Sequence, residues 1–380
     1  MKQMTVGVIG AGKISDVYLT NISTIFPNLK LTAVCAAHLE RAQAKAEKYG
    51  IRACTLEEML ADPTIDLVVV LTPVGSHYSI IRDALLAGKH VYTEKTICET
   101  TAQAKEVIAL AEEKGLYLGS APDTFMGASF QTARKAIDDG LIGDIYSFSL
   151  SINRCNDILT VLFPFLQLSG AGCLRDYLVY HMTALVSLLG PVKRLAATVQ
   201  APITSRKNQL EDNPGFGETL STPNESLVTA MLTLENGIVG TVHENHESTM
   251  RDRADFAIYG TKGVLLLGDP NWYEGVVKLY QNPEHPLNFF SLIDEPVVKE
   301  LPMVNPYTAN SRGLAVAELA ESIAKGKENR ASKEMAYHVL DVLECMELSS
   351  REDGFVEVMS TCKRPEPFRK DYMASDAFDV

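Results

Sequence analysis

The sequence contains no apolar run as long as the roughly 18 residues that a membrane-spanning helix needs. Its apolar start also lacks the layout of a signal peptide, because we expect those residues to form the first strand. Low-complexity tracts and internal repeats are absent too, and the chain is 46% hydrophobic and 22% charged. We therefore expect a globular protein without a membrane segment, whose 380 residues suffice for two domains with sizeable cores.

An excess of positive charge is also missing, since the formal net charge is −13 at pH 7. An acidic surface does not attract nucleic acids or anionic membranes, so we expect neither as a partner. Any anionic ligand has to be met by local cations and by the N-termini of helices.

Cysteine motifs are absent as well. The seven cysteines are odd in number and scattered, and no C-x-x-C occurs. This pattern predicts free thiols in a reducing compartment, and hence a cytoplasmic protein.

The most informative segment runs from Thr5 to Ser15 and is typical of a buried strand, a glycine turn and a helix. Gly10 allows a sharp turn and Gly12 lets the backbone approach a ligand closely, while Ser15 replaces the third glycine of G-x-G-x-x-G. Bare backbone N–H groups at a helix start bind phosphates. A second strand follows at the spacing of a βαβ unit, which favours dinucleotide binding over a purely structural turn. The expected cofactor contacts along this turn are Gly10, Ala11, Gly12, Lys13 and Ile14.

The two halves of the chain differ in pattern. Residues 1–123 alternate β-rich runs with helical patterns, which predicts an α/β domain with a doubly wound parallel sheet of the Rossmann type. Residues 124–355 contain long alternating runs joined by hairpin signals, which predict a second α/β domain with a large, mostly antiparallel open sheet. We expect 202–225 to form a surface loop, and 356–380 is a tail to which we assign no structure.

One candidate site follows a predicted strand of the first domain. Glu94 and Lys95 lie just past this strand, at the carboxyl edge of the parallel sheet, where ligands of open α/β sheets bind. A lysine there can donate to a substrate oxygen or take part in proton transfer. A solvated turn is the alternative interpretation.

A second candidate site begins at a turn of small residues, Gly170-Ala171-Gly172, that opens a helix predicted over Asp176–Leu189. Asp176 and Tyr180 stand at i and i+4 on one face of such a helix, and His181 points about 100° away. A carboxylate and a phenol that converge can bind a polyol and move a proton. The alternative is an aspartate at a helix start, followed by a tyrosine and a histidine half buried in the core.

Several motifs occur in a fixed order along the chain. They are the N-terminal glycine turn, Thr72-Pro73 with His77, Gly88–Lys95, the helix start with Asp176, Ile258–Gly263 and Ala336–Leu340. In this combination the chain resembles the Gfo/Idh/MocA oxidoreductases, the superfamily of glucose–fructose oxidoreductase and inositol dehydrogenase, over nearly its full length.

The resemblance implies an NAD(P)-dependent dehydrogenase or reductase that acts on the CH–OH group of a sugar, polyol or related hydroxy compound. It places Thr72, Pro73 and His77 along the cofactor and the Glu94–Lys95 pair beside the nicotinamide. Lys95 would orient the substrate hydroxyl or assist its proton transfer.

The resemblance also implies that Asp176 helps to hold the substrate. Most members have a catalytic histidine four residues after this aspartate, where Tyr180 stands in this chain. Some branches, including the glucose–fructose oxidoreductase type, also carry tyrosine there, so Tyr180 is the first candidate for the proton donor or acceptor. His181 is the second, and a one-residue register shift or a π-bulge would exchange them.

Three departures from the family pattern stand out. The usual Glu-Lys-Pro ends in Thr96 here, and the segment Asp157–Leu168 is unusually apolar for a sugar site. The acidic residue expected after the second strand is also missing, because Ala36-Ala37-His38 stands there. A 2′-phosphate therefore meets no repulsion, and His38 and Arg41 could offer it positive charge. We therefore favour NADP over NAD, with Arg41 as an ordinary exposed helix residue in the alternative.

We expect no metal site, because His243 and His246 would face opposite sides of a strand. The open face of the second sheet needs cover, so we expect a homodimer or homotetramer formed through it. Two rival functions remain open: a redox-neutral enzyme of the same fold that retains its nicotinamide, of isomerase, lyase or glycosidase type, and a non-catalytic dinucleotide-dependent binding or regulatory protein.

Overall fold

The structure is a computed structural model that describes residues 3–168, 170–250, 253–282 and 296–368. The chain forms two compact units. The first contains the chain up to Gly127, residues 305–340 and the described residues from Pro365 onward, and the second contains 128–304 and 341–364. The sequence-based division placed the boundary after residue 123 and assigned 305–340 to the second domain.

The first unit is built on a parallel sheet, in which the described residues contribute six strands. The strand order is β3-β2-β1-β4-β5-β6, so the order reverses between β1 and β4. Ligands of such sheets bind at the carboxyl ends of the strands beside this reversal. The strands are β1 Met4–Ile9, β2 Leu29–Cys35, β3 Arg52–Cys54, β4 Leu67–Val70, β5 His90–Thr93 and β6 Leu118–Ser120. All four residues of β4 are buried, as predicted for a strand covered on both faces, and the predicted doubly wound sheet is confirmed.

The helices of this unit alternate with its strands. They are α1 Ser15–Thr24, α2 Leu39–Tyr49, α3 Leu56–Ala61, α4 His77–Leu86 and α5 Thr101–Lys114. Thr55 caps α3 with a reciprocal capping box to Glu58, and α5 begins with a Thr100 side-chain cap. Gly50 and Gly115 end α2 and α5 in the left-handed conformation.

The second unit contains a mixed sheet in which the described residues form nine strands, ordered β16-β15-β14-β13-β7-β12-β11-β8-β17. Only β7 and β12 pair in parallel among these strands, so the predicted mostly antiparallel sheet is confirmed. The strands are β7 Ile145–Asn153, β8 Val192–Gln200, β11 Leu227–Leu234, β12 Val239–Asn245, β13 Arg253–Gly260, β14 Gly263–Leu267, β15 Lys278–Gln281, β16 Val297–Glu300 and β17 Val356–Glu357. Buried Val228, Ala230 and Leu232 alternate along β11 with exposed Thr229 and Met231.

The remaining helices are α6 Ala128–Asp138, α7 Asn156–Leu162, α8 Val179–Leu189, α9 Leu314–Lys325 and α10 Lys333–Glu352. Every residue of α8 is buried, which agrees with its apolar sequence. Among the described residues, no helix is long and apolar enough to cross a membrane.

Residues 202–225 correct a prediction, because they contain the two-stranded sheet of β9 Ser205–Lys207 and β10 Thr219–Ser221 instead of only a loop. The Arg206 side chain on β9 is buried and forms ion pairs with Asp157 and Glu247. These partners are distant in sequence, so local composition could not reveal them.

Candidate active site

The glycine turn after β1 has the geometry that the sequence predicts. Gly10 has φ +118°, and a Cβ there would lie 2.8 Å from the carbonyl carbon and oxygen of Leu71. Its N–H donates to the Cys35 carbonyl oxygen at 2.8 Å. The turn therefore requires glycine and packs against the start of the loop that follows β4. The backbone nitrogen of Thr72, an expected cofactor residue, lies 3.2 Å from the same Cβ position.

The start of α1 is open at Gly12. A Cβ on Gly12 would meet no atom within 4 Å, and Gly12 and Lys13 are exposed, with Ala11 and Ile14 partly buried. The Ser15 hydroxyl donates to the Gly12 carbonyl oxygen at 2.7 Å and is itself buried. This helix start leaves room for an anion beside glycine backbone.

The segment after β2 carries two exposed basic side chains, those of His38 and Arg41. His38 Nδ1 lies 3.7 Å from the Glu40 carboxylate, and the Arg41 backbone N–H donates to the His38 carbonyl oxygen at 3.0 Å. Ala36 is partly buried, and Arg41 is exposed. Glu40 therefore places a carboxylate near this segment, although none follows β2 directly.

His77 is buried on the loop that the family resemblance places along the cofactor. Its imidazole is fully buried, with Nδ1 2.8 Å from the Thr96 carbonyl oxygen and Nε2 2.9 Å from the Thr72 carbonyl oxygen. Burial lowers the pKa of His77, although both carbonyl groups act to raise it. The ring thus connects the loop after β4 to the loop after β5. Thr72 is partly buried and Pro73 is exposed.

Glu94 fixes the backbone at Lys95. Its carboxylate accepts from the Tyr18 hydroxyl at 2.8 Å and from the Lys95 backbone N–H at 3.0 Å, and its own N–H donates to the Val70 carbonyl oxygen at 2.8 Å. Glu94 is buried and Lys95 is half-buried. The pair therefore stands at the carboxyl edge of the sheet, held between β4 and β5. The peptide bond between Lys95 and Thr96 is cis.

The helix predicted over Asp176–Leu189 is wrong in its first turn. Residues Leu174–Leu178 form a π-helix, in which the Val179 N–H bonds to the Leu174 carbonyl oxygen, and α8 begins at Val179. A π turn holds one residue more than an α turn. Asp176 lies within this π turn, and both Tyr180 and His181 lie in the first turn of α8.

The start of this helix is set by a glycine. A Cβ on Gly172 would lie 2.0 Å from the Glu225 carboxyl group, which accepts from the Leu174 N–H at 3.3 Å. The Glu225 backbone carbonyl accepts from the Cys173 N–H at 3.0 Å. Only a residue without a side chain lets this half-buried carboxyl group reach the helix start. Burial raises the pKa of Glu225.

His181 is buried, and its Nδ1 lies 3.4 Å from the Tyr177 carbonyl oxygen. Within the described chain, its Nε2 atom has no hydrogen-bond partner. Burial lowers the pKa of His181, while Asp269 and then Glu244 act to raise it. A neutral imidazole with an available nitrogen is the form that a proton acceptor requires. Tyr180 is also buried.

An open cleft in the second unit is bounded by Asp176 and His246. The Arg154 guanidinium lies 3.9 Å from the Asp176 carboxylate. The other residues of this cleft that carry a polar side chain are Asn156, Thr160, Arg206, Thr222, Asn224, Glu225 and Ser226. Hydroxyl-rich ligands match such a lining of donors and acceptors.

Sequence reasoning missed Glu244 and His246 as parts of this cluster. His243 is exposed and pairs with Thr229, whereas His246 is buried, so the two histidines face opposite sides as predicted. Glu244 is fully buried, and its Oε1 lies 2.7 Å from His246 Nε2. Alternation along β12 could have identified the inward-facing Glu244, but not its partners. No group of metal-ligating side chains suited to a metal ion occurs in the described parts of the chain.

Both members of this pair are uncharged near neutrality. Burial raises the pKa of Glu244 to about 8, against the lowering effects of His181 and Arg154. Burial also lowers the pKa of His246 to about 3, and Arg154 adds to this effect. A neutral carboxyl group beside a neutral imidazole avoids the cost of two buried charges.

We expect Glu244 to make the folded protein less stable as the pH rises. The folded pKa of about 8 lies above the ordinary value of 4.5, so its stabilising contribution is complete below pH 4.5 and is lost as the pH rises to 8. At about 1.4 kcal/mol per pKa unit, this loss amounts to about 5 kcal/mol at most. The Glu244→Gln variant should therefore lose less of its thermal stability between pH 5 and pH 9 than the parent.

Thermal unfolding of both proteins across this pH range measures the effect. Glu235→Gln, at an exposed site in the hairpin between β11 and β12, serves as the control and should follow the parent curve. Parallel curves for Glu244→Gln and the parent would contradict the buried neutral carboxyl group.

Two family models match the chain. The Gfo/Idh/MocA oxidoreductase family model, with an NAD-binding Rossmann fold, matches residues 4–121, and the Gfo/Idh/MocA C-terminal domain model matches residues 130–266. Together they cover more than half of the 380 residues.

Individual proteins of known sequence or structure agree with this match. The uncharacterized oxidoreductase YrbE of Bacillus subtilis (strain 168) is 24% identical over 265 residues, which are 69% of this chain and 73% of that protein. D-glucoside 3-dehydrogenase of Escherichia coli (strain K12) is 32% identical over 190 residues, which are 49% of this chain and only 54% of that protein. The structure of levoglucosan dehydrogenase in complex with NADH and levoglucosan has a TM-score of 0.79 at 19% identity, covering 94% of this chain and 100% of that one, and shows a shared fold.

The motifs predicted this family from the sequence, and the two family models confirm it. The chain belongs to the Gfo/Idh/MocA family of NAD-binding oxidoreductases.

Proposed function

We propose that the protein oxidises a CH–OH group of a sugar or polyol, or reduces the corresponding carbonyl group, with NAD(P) as the coenzyme. The observation that carries this proposal is the buried Nε2 of His181, which has no hydrogen-bond partner among the described residues and lies in the same unit as Asp176. In this proposal Asp176 holds a hydroxyl group of the substrate and the His181 imidazole accepts its proton.

The first unit fits the coenzyme. Gly10 and Gly12 form a turn at the start of α1 in which a side chain on Gly12 would occupy open space beside the backbone amides. When bound, the nicotinamide accepts or returns the hydride. We propose Ala11, Lys13, Ile14 and Thr72 as further neighbours of the coenzyme, with Pro73 on the same loop.

The chain's own residues manage the substrate. In the oxidation direction, His181 takes the proton from the substrate hydroxyl as the carbonyl group forms, and it returns the proton in reduction. Asp176 accepts a hydrogen bond from the substrate, and Lys95 is assigned, by the family resemblance, to orient the reacting oxygen. Glu94 and His77 act through the backbone, because their side chains hold the Lys95 and Thr96 segment in place.

The cleft favours a hydroxyl-rich substrate. The Arg206 charge is already engaged by Asp157 and Glu247, and amide and hydroxyl groups supply much of the remaining lining. D-glucoside 3-dehydrogenase, whose name describes oxidation of a sugar derivative, supports the same substrate class. A sugar, inositol or sugar acid panel with either coenzyme, followed at 340 nm, tests the proposed reaction.

We expect His181→Ala to lower kcat by about 10²- to 10⁴-fold, because the proton acceptor is lost. Tyr180→Phe should retain kcat within a few-fold, because in this proposal His181, and not the Tyr180 phenol, carries the proton. Steady-state kinetics on the most active substrate of the panel measure both variants. A larger loss of kcat in Tyr180→Phe than in His181→Ala would contradict this assignment and identify Tyr180 as the proton carrier.

Gly12→Ala separates coenzyme binding from folding. A methyl group at Gly12 meets no atom within 4 Å, so we expect an unchanged melting temperature together with at least tenfold weaker coenzyme binding by calorimetry. Gly10→Ala is the contrasting variant, because its Cβ would press on Leu71, and it should lose stability as well. Parent-like coenzyme affinity in Gly12→Ala would contradict the proposed pyrophosphate site.

We propose NADP as the preferred coenzyme, because exposed His38 and Arg41 lie after β2 and no carboxylate follows this strand directly. Arg41→Ala should weaken NADPH binding about tenfold, as expected for one charge-assisted hydrogen bond, and leave NADH binding unchanged. Arg82→Ala removes an exposed cation on α4 and serves as the control. An equal loss of affinity for both coenzymes in Arg41→Ala, or tighter binding of NADH by the parent, would favour NAD instead. The Glu40 carboxylate beside His38 is the feature that would support that outcome.

We also propose that a second copy of the chain covers the open face of the large sheet. Met231 on β11 and Val239 on β12 expose about half of their surface there, at 53% and 48%. Exposed apolar side chains on a broad sheet are typical of a homo-oligomer interface.

A further inference from the structure

Tyr177 lies at the centre of the polar cluster in the second unit. Its ring centroid is 5.5 Å from that of His181 and 5.9 Å from that of His246. The Tyr177 and His246 rings are arranged edge to face. The Arg154 guanidinium lies over the same ring at 3.8 Å. One aromatic ring therefore contacts both buried histidines and the cation beside Asp176.

The Tyr177 hydroxyl also donates a hydrogen bond to the Asp269 carboxylate. The other oxygen of that carboxylate accepts from the Asn271 N–H at 2.8 Å. Asp269 follows β14, about 90 residues from the π turn, so this bond joins two distant parts of the second unit. Both oxygens are thus fixed in direction by hydrogen bonds.

The charges near His181 are unequal in effect. Burial has the largest effect on the pKa of His181 and lowers it. Asp269 has the next largest effect and raises this pKa, as do Glu244 and the Tyr177 carbonyl group to a smaller extent. His246 lowers it. Glu244 is protonated at neutral pH because its own pKa is about 8. Asp269 is therefore the carboxylate with the largest influence on the pKa of His181.

We propose that Tyr177 and Asp269 are positioning residues for the proton step: Tyr177 packs against His181 and holds the Asp269 carboxylate in place as the counter-charge of the imidazolium. This inference rests on the proposed function, in which His181 takes the substrate's hydroxyl proton. The proton leaves the substrate oxygen and binds His181 Nε2, and a buried imidazolium forms. Asp269 stabilises that cation without touching the substrate, and Tyr177 keeps the carboxylate from turning away.

Three variants test the proposal: Tyr177→Phe, Asp269→Asn and the double variant. We expect Asp269→Asn to move the acidic limb of the kcat/KM profile to lower pH by about one unit and to lower kcat about tenfold. Tyr177→Phe should shift the acidic limb of the kcat/KM profile in the same direction, but less than Asp269→Asn does, because the Asp269 carboxylate remains but is free to turn. The double variant should shift it no further than Asp269→Asn, because Tyr177 acts through that carboxylate.

Tyr259→Phe is the matched control, because it removes a phenol that pairs with Ser149 at 3.1 Å in the same unit. Its pH profile should match the parent profile. A purely structural role for Tyr177 or Asp269 would lower kcat equally at every pH and leave the limb in place, which would overturn the proposal.

Histidine ring titration by NMR provides a readout that does not depend on turnover. The His181 resonance, assigned with His181→Gln, should titrate at lower pH in Asp269→Asn than in the parent, and an unchanged titration in a folded variant would overturn the inference. Full activity in His181→Ala would instead refute the proposed function itself, so the two failures are distinguishable.

Discussion

The hydrogen bond from the Val179 N–H to the Leu174 carbonyl oxygen sets the register on which the candidate site depends. It joins residues five apart, so the helix takes in one more residue than a regular turn before α8 continues. Asp176 lies within this turn, and so does Tyr177, whose ring contacts His181, His246 and Arg154.

Low polarity of the surroundings determines the charge states in this cluster. Burial removes water from Glu244, His246 and His181, and each then favours its neutral form. A neutral His181 can accept a proton, but the resulting cation needs a nearby anion in a place where water cannot help. In the proposed mechanism, the proton transfer to His181 therefore depends on several side chains that do not touch the substrate.

The sequence predicted the parts of the fold that depend on local patterns. Continuous burial along β4, the alternation along β11 and the Gly10 turn all follow from residue type and period, and the structure has each of them. The π turn could not be predicted, because the sequence around Asp176 is equally compatible with a regular helix; only its packing selects the extra residue. Arg206 was missed for a related reason, since its partners Asp157 and Glu247 lie far away in sequence.

The roles of Glu94 and His77 show a further limit of sequence reasoning. Both were expected near the coenzyme from motif position alone, yet their side chains bond to Tyr18 and to backbone groups of the neighbouring loops. A motif identifies the residue that matters, but not whether it acts on a ligand or on the backbone that meets the ligand. Hydrogen-bond geometry supplies that distinction.

A crystal structure with coenzyme and a polyol substrate bound tests the assignment of His181 most directly. We expect His181 Nε2 within about 3 Å of the reacting hydroxyl oxygen, with Asp176 on the same part of the substrate and the Tyr180 phenol pointing elsewhere. A Tyr180 hydroxyl at that distance, with His181 remote from the substrate, would contradict it.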